Sequence, residues 1–177
     1  EGAAPFGAIE EGGYHHYATY LKRQIQVEAE EKVPEGKMAK LLYDMYQPDC
    51  AKYAVESDVP QIYELLLENF DLQADHIPSE DDLLQIVKEK EVMIYKIGDK
   101  IECFFIYRRE GKKLYCAFSY NHASADILYS IERRVKEIEY EENGIKMHYA
   151  WFNAKNKKAL RRNAWKDTKI RDYIFVK

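Results

Sequence analysis

Cysteine is scarce in this sequence. Cys50, Cys103 and Cys116 are the three present, an odd number without metal-ligand spacing. That points away from a disulfide framework or a metal centre and toward buried, reduced thiols. No apolar run approaches the ~20 residues of a membrane span, and no signal peptide is visible. A net charge of −4 gives no strong excess of either sign to draw the chain to nucleic acid or to a membrane surface. There is no internal repeat and no low-complexity tract. The expectation is a cytoplasmic protein with no membrane partner and no metal. A chain that begins at Glu1 rather than Met is expected to be a piece of a longer polypeptide.

What is present is a globular composition, 46% hydrophobic and 33% charged over 177 residues. That is enough for one domain with a sizeable core plus an appendage. Aromatic content is high at 14%, with 15 Tyr. Charge is uneven along the chain. Residues 28–31 and 137–142 are acidic. Residues 155–171 are basic, through Lys155, Lys157, Lys158, Arg161, Arg162, Lys166, Lys169 and Arg171.

In order, residues 1–13 read as a loop. Residues 14–32 read as a helix with Tyr17, Tyr20, Leu21, Ile25 and Val27 as a partly amphipathic stripe, and His15-His16 as an exposed pair. Val33-Pro34-Glu35-Gly36 breaks it, and residues 37–46 form a second helix with Met38, Leu41, Leu42 and Met45 on one face. Residues 1–49 are thus expected to be a helical arm that packs in cis or across a homodimer. Residues 51–55 are a short strand. Ser57 or Asp58 caps a helix with Pro60 in its first turn. Residues 71–78 are a loop. Ser79 caps the next helix, with Asp82 three residues on. Residues 92–97 and 101–108 form a hairpin about Gly98-Asp99, and Glu110-Gly111 turns into a third strand.

Residues 112–177 then read strand, helix, strand, helix, strand. Residues 114–120 are apolar and aromatic, as a buried strand should be. A polar turn, Asn121-His122-Ala123-Ser124-Ala125-Asp126, leads into a helix with Ile127, Leu128, Ile131, Val135 and Ile138 at helical spacing, stopped by Asn143-Gly144. Residues 145–152 are a strand, 153–166 a basic helix and 170–176 a final strand. A strand, crossover helix and strand of this length favours a right-handed parallel unit. Ligand sites in such units lie at the carboxyl ends of the strands, here near Tyr120 and Phe152.

That order of elements, over about residues 50–177, resembles the GNAT superfamily of acyl-CoA N-acyltransferases. Tyr53-Ala54-Val55-Glu56-Ser57-Asp58-Val59-Pro60-Gln61-Ile62 is similar to the first strand and helix of the family, and Asn156-Lys157-Lys158-Ala159 to its N-x-x-A motif. The resemblance implies an α/β (α+β) fold: a mixed central sheet of about six or seven strands flanked by helices, here with the N-terminal arm, divided as 1–49 and 50–177. It implies an N-acyltransferase, with acetyl-CoA or another acyl-CoA as co-substrate and a small-molecule or peptide amine as acceptor. Two departures stand out. The pyrophosphate turn of the family is glycine-rich, whereas here it reads Ala123, Ser124 and Ala125, with Asp126 bringing a negative charge. The tyrosine that the family places four residues past the motif alanine is Asn163 here, and its following Gly-Phe is Asp167-Thr168, with Trp165 as a replacement anchor.

On that resemblance, amides of Phe118, Ser119 and Tyr120 would bind the pantetheine and polarise the thioester carbonyl. Ala123, Ser124 and Ala125 at a helix N-terminus, with Asn156, would hold the diphosphate. His122 or Glu102 would take the proton of the amine, and Tyr120 or His122 would protonate the thiolate. Tyr149 or Trp151 would line the opposite wall, and the loop 71–78 and the hairpin at Gly111 would frame the acceptor. Each residue also has an ordinary reading: His122 a turn residue, Tyr120 plain packing, Asp126 a helix cap, the basic run a solvated helix face. The competing functions are a GNAT-shaped binding or scaffolding module of a longer protein, and a transferase with a donor other than CoA, such as an aminoacyl-tRNA.

Overall fold

A computed structural model describes residues 9–160 and 165–177. Its centre is a seven-stranded sheet. The elements are β1 (His15–Gln26), α1 (Lys37–Asp44), β2 (Lys52–Tyr53), a 3-10 turn (Glu56–Asp58), α2 (Val59–Asn69), α3 (Glu80–Lys88), β3 (Val92–Ile97), β4 (Lys100–Glu110), β5 (Lys113–Asn121), α4 (Ala125–Asn143), β6 (Met147–Asn153), α5 (Lys157–Leu160) and β7 (Lys166–Val176). The order across the sheet is β2-β3-β4-β5-β6-β1-β7. Among the described residues only β5 and β6 run parallel; the other neighbours are antiparallel.

Alternation on β3 to β5 divides the core between the two faces of the sheet. Ile94, Phe104, Ile106 and Phe118 pack with Ile62 and Leu66 of α2 and Leu83 and Ile86 of α3. Met93, Cys103, Phe105, Tyr107 and Leu114 pack with Ile127, Leu128, Ile131 and Val135 of α4 on the other face. Covered on both sides, β4 is buried from Ile101 to Tyr107. Burial also pushes the Cys103 thiol up to about 12, so this cysteine is an inert core residue. No disulfide joins the described cysteines.

Ser79 and Gly144 mark helix ends as expected, but neither Ser57 nor Asp58 caps α2: Asp58 flanks it without a side-chain cap bond, and its carboxylate instead accepts the Val55 N–H at 3.0 Å. Ser79 Oγ accepts from the Asp82 N–H at 3.1 Å, and the Asp82 carboxylate accepts from the same hydroxyl at 2.6 Å instead of reaching back to the backbone. Gly144 ends α4 in the left-handed conformation, φ +62°, which costs glycine nothing.

Residues 14–32 are not helical. Tyr14 precedes β1, which runs from His15 to Gln26 and sits inside the sheet between β6 and β7. Ala18 and Tyr20 are its buried residues, two apart as a strand requires. Two irregularities in its pairing with β7, at His16/Ala18 and Leu21/Arg23, shift the alternation and hide the two-residue period. An interior strand thus takes the place of the first part of the expected helical arm, while α1 forms as expected. The basic helix expected over 153–166 is α5, Lys157–Leu160, among the described residues, and β7 already begins at Lys166. Arg161, Arg162 and Asn163 lie outside the described residues, as do residues 1–8 of the expected N-terminal loop. His15 and His16 are exposed, and no group that could hold a metal ion occurs among the described residues. No described helix is long and apolar enough to cross a membrane.

Candidate active site

The parallel pair β5–β6 is short. Lys113–Cys116 pair with Met147–Ala150 in register, and there the pairing stops. Both strands go on, β5 to Asn121 and β6 to Asn153. Beyond Cys116, β5 still has β4 along one edge, with Phe118 opposite Ile106 and Tyr120 opposite Phe104. Its other edge faces an open cleft. Neighbouring strand pairs hold the two walls apart: β4 on β5, and β1 on β6, with Tyr20 opposite Asn153 and Lys22 opposite Trp151.

A cavity of about 1950 Å³ occupies the cleft and continues along α4 toward α1. One wall is Ala117, Phe118, Ser119 and Asn121 of β5. The other is Trp151, Phe152 and Asn153 of β6, followed by Lys155 and Asn156. Ala125, Leu128 and Tyr129 of α4 line it, and the α2–α3 loop supplies Phe70, Asp71, Ala74, Asp75 and His76. Tyr115 stacks on Tyr149 with ring centroids 5.1 Å apart where the strands still pair. Burial pushes the Tyr115 hydroxyl up to about 12, so it stays protonated. Trp165 is buried against Phe152 and His148 at 5.4 and 4.6 Å, the anchoring position expected of it.

The α2–α3 loop is fastened to β1 by two tyrosines. Tyr17 Oη donates to Asp71 Oδ2 at 2.6 Å, and Tyr20 Oη to Asp75 Oδ1 at 2.5 Å. Asp75 Oδ2 also accepts the Asp71 N–H at 2.8 Å. The hydrogen bond from Tyr17 holds the Asp71 carboxyl below its usual range. Burial, and then the bond to Asp75, push the Tyr20 hydroxyl well above its usual range.

The turn into α4 needs no glycine. Among the described residues, none of Ala123, Ser124 and Ala125 has positive φ, and Ser124 sits at φ −120°. Ser124 makes no side-chain cap bond. Asp126 in the first turn accepts from Gln47 Nε2 at 3.3 Å. The helix therefore presents first-turn amides beside Ala125 at the cavity edge, where an anion is favoured by the free N–H groups and the dipole.

The residues singled out from the sequence divide. Phe118, Ser119, Ala125 and Asn156 line the cavity; Ala123 and Ser124 lie in the turn beside it and are not part of the lining. Tyr120 is also outside the lining: its ring stacks on Phe104 at 5.3 Å and packs with the core under α2 and α3. Glu102 and His122 do meet. His122 Nδ1 is 2.7 Å from Glu102 Oε2, and Lys100 Nζ is 2.8 Å from Glu102 Oε1. Lys100 and then His122 hold the Glu102 carboxyl below its usual range. Neither Glu102 nor His122 lines the cavity, however, and the backbone N–H of His122 donates to the Glu102 carbonyl at 2.8 Å. The group is a hydrogen-bonded turn at the strand end. Trp151 forms the far wall as expected, while Tyr149 lies under Tyr115 and donates to Glu110 Oε2 at 2.5 Å. The loop 71–78 borders the cavity; the Gly111 turn lies at the paired end of β5, away from it. Sequence reasoning missed Tyr20, Asp75 and Asn153, because it read β1 as a helix and had no reason to bring residues 20, 75 and 153 together.

Neither a family model nor a curated protein matches the sequence. Solved structures do match. A GCN5-related N-acetyltransferase from Sphaerobacter thermophilus superposes with a TM-score of 0.65 at 16% identity, over 97% of this chain and 55% of that one. The fold is that of the GCN5-related N-acetyltransferases. A probable N-acyltransferase from Enterococcus faecalis matches with a TM-score of 0.59 at 14% identity, over 96% of this chain and 42% of that one. A putative GNAT-family acetyltransferase from Novosphingobium aromaticivorans matches with a TM-score of 0.57 at 11% identity, over 92% and 66%. The chain spans about half the length of the first of these (55%). At such identities the likeness is one of GNAT architecture: the mixed sheet and the crossover helix.

Proposed function

We propose that the chain transfers an acyl group from an acyl thioester of CoA to an amine. The observation that carries this reading is the parting of β5 and β6. It leaves a strand edge exposed to a cleft, and a strand edge is a ready set of amide donors and carbonyl acceptors for an extended, amide-bearing ligand. The pantetheine arm is such a ligand. The residues present fit it. Phe118 and Ser119 would bind the arm through their backbone, and an amide there would hydrogen-bond the thioester carbonyl oxygen as charge develops on it. The turn at Ala123, Ser124 and Ala125 would receive the diphosphate, helped by Asn156 and Lys155. Ordinary small-molecule sites measure roughly 300–1,000 Å³, so the cavity has room for donor and acceptor together. The acceptor would enter along the α2–α3 loop.

Calorimetric titration with acetyl-CoA and with free CoA tests the reading. Micromolar binding that weakens with salt is expected. No binding up to millimolar concentrations would overturn it and favour a GNAT-shaped binding module.

A further inference from the structure

The tyrosine that would protonate a leaving thiolate has Asn163 in its place, and neither Tyr120 nor His122 lines the cavity. A different tyrosine does. Tyr20 stands on β1 opposite Asn153, the last residue of β6. It is buried and packs with Ala18, Ala74 and Trp151. Tyr20, Asp75, Trp151 and Asn153 all line the cavity on the side where the strands have parted. Its hydroxyl is bonded to Asp75 Oδ1 at 2.5 Å, and the other Asp75 oxygen is fixed by the Asp71 N–H at 2.8 Å.

We propose that Tyr20 and Asp75 are the proton relay of this site, with Asp75 as the store of the proton and Tyr20 as the bridge to the reacting groups. The inference rests on the acyl-transfer reading above. The acceptor arrives as an ammonium. One of its protons passes to Tyr20 Oη while the proton of Tyr20 passes to Asp75 Oδ1. The freed nitrogen then bonds to the thioester carbonyl carbon, and the C–S bond breaks with its electron pair going to sulfur. The reverse shift, Asp75 to Tyr20 to sulfur, makes the free thiol. The nitrogen loses its remaining surplus proton to water. The products are an amide, a thiol and one released proton, and Asp75 is again a carboxylate.

The environment suits a bridge better than an ionised base. Burial and the neighbouring carboxylate disfavour a tyrosinate, so Tyr20 moves protons in concert and never holds charge. A purely structural role is the alternative: Tyr20 would only pin the α2–α3 loop. Tyr17 provides the control, because it pins the same loop through Asp71 at 2.6 Å without lining the cavity.

The test uses the chain with acetyl-CoA as donor and spermidine, tyramine, Nα-acetyl-lysine or water alone as acceptor, with CoA release followed by a thiol reagent across pH. Tyr20→Phe and Asp75→Asn are each expected to lower kcat about 10²-fold. Their Kd for acetyl-CoA should match the wild type, so that the loss falls on kcat, whereas any fall in urea midpoint should be shared by Tyr17→Phe, which breaks the companion fastening of the same loop. Tyr17→Phe should keep wild-type kcat. A Tyr20→Phe variant with wild-type kcat, or equal losses in Tyr17→Phe and Tyr20→Phe, would overturn the relay and leave acyl transfer standing. A wild type that binds no acetyl-CoA, or releases no CoA with any acceptor, overturns acyl transfer and the relay with it.

Discussion

Replacing Arg109 by methionine should destabilise the protein severely, although the residue does not line the cleft. Its partner, Glu139 of α4, is fully buried. Arg109 meets it side-on, with Nε donating to Oε2 and Nη2 to Oε1, both at 2.7 Å. Tyr107 Oη donates to Oε1 at 2.9 Å and Asn143 Nδ2 to Oε2 at 2.7 Å. Arg109→Met removes the one cation that meets that carboxylate among the described residues but leaves the carboxylate in the core. An uncompensated buried charge costs about 3–5 kcal/mol. Arg109 itself is 29% exposed, so water reaches the gap and the lower end, about 3 kcal/mol, is expected. For a chain of this length that corresponds to a fall of roughly 6–12 °C in Tm. Glu139→Gln leaves an arginine that can rehydrate, and should cost about 1–2 kcal/mol. The double variant should be less destabilised than the sum of the two, by about 1.5–3 kcal/mol. Urea unfolding at neutral pH measures all three. A loss below about 1 kcal/mol for Arg109→Met, or strict additivity, would refute the reasoning.

Two further outcomes follow from charges elsewhere. Asp126 lies in the first turn of α4, where the proposed diphosphate would bind. Asp126→Asn should tighten CoA binding about 2–5-fold at low salt, the equivalent of about 0.3–1 kcal/mol, and the gain should shrink as salt is added; unchanged or weaker binding would place the diphosphate elsewhere. Stability should also depend on pH in two opposed ways. Glu102 and Asp71 have lowered carboxyl pKa values, Glu102 through Lys100 and Asp71 through Tyr17, so their contribution is present above the unfolded carboxylate pKa near about 4 and is lost as pH falls through the folded one. Glu91 has a raised pKa from burial, so its contribution is full below the unfolded pKa and is lost as pH rises through the folded one. Urea midpoints of Glu91→Gln minus wild type should therefore rise with pH above about 4; a flat or falling difference would contradict the assignment.

Much of the fold was legible in local patterns. The hairpin at Gly98-Asp99 and the strand Val92–Ile97 fall where expected, because β3 to β5 pair with neighbours close in sequence. The crossover helix also ends where expected, because Gly144 takes the left-handed conformation. The failure at β1 has a physical cause. The strand partners of β1 are β6 and β7, more than a hundred residues away (Tyr20 meets Asn153 and Asp172). Its apolar period is broken by two irregularities in pairing, so nothing within the stretch declares a strand. The site divides in the same way. Phe118, Ser119, Ala125 and Asn156 line the cavity, a placement that follows from the positions of strand ends and helix starts. Tyr120 and His122 lie outside the cavity lining, and sequence order does not say that one ring lies on Phe104 or that the other imidazole turns to Glu102.

By itself the sequence determined α1 to α4, the Ser79 cap and the Gly144 stop, the β3–β4–β5 hairpins and the parallel crossover, because each depends on residues within a turn or a pleat of one another. Only the tertiary structure decided that β1 enters the sheet between β6 and β7, that β5 and β6 part after Cys116, and that Tyr20, Asp75 and Asn153 share one cavity. These depend on pairings between distant strands, whose register is set by which faces can be buried together.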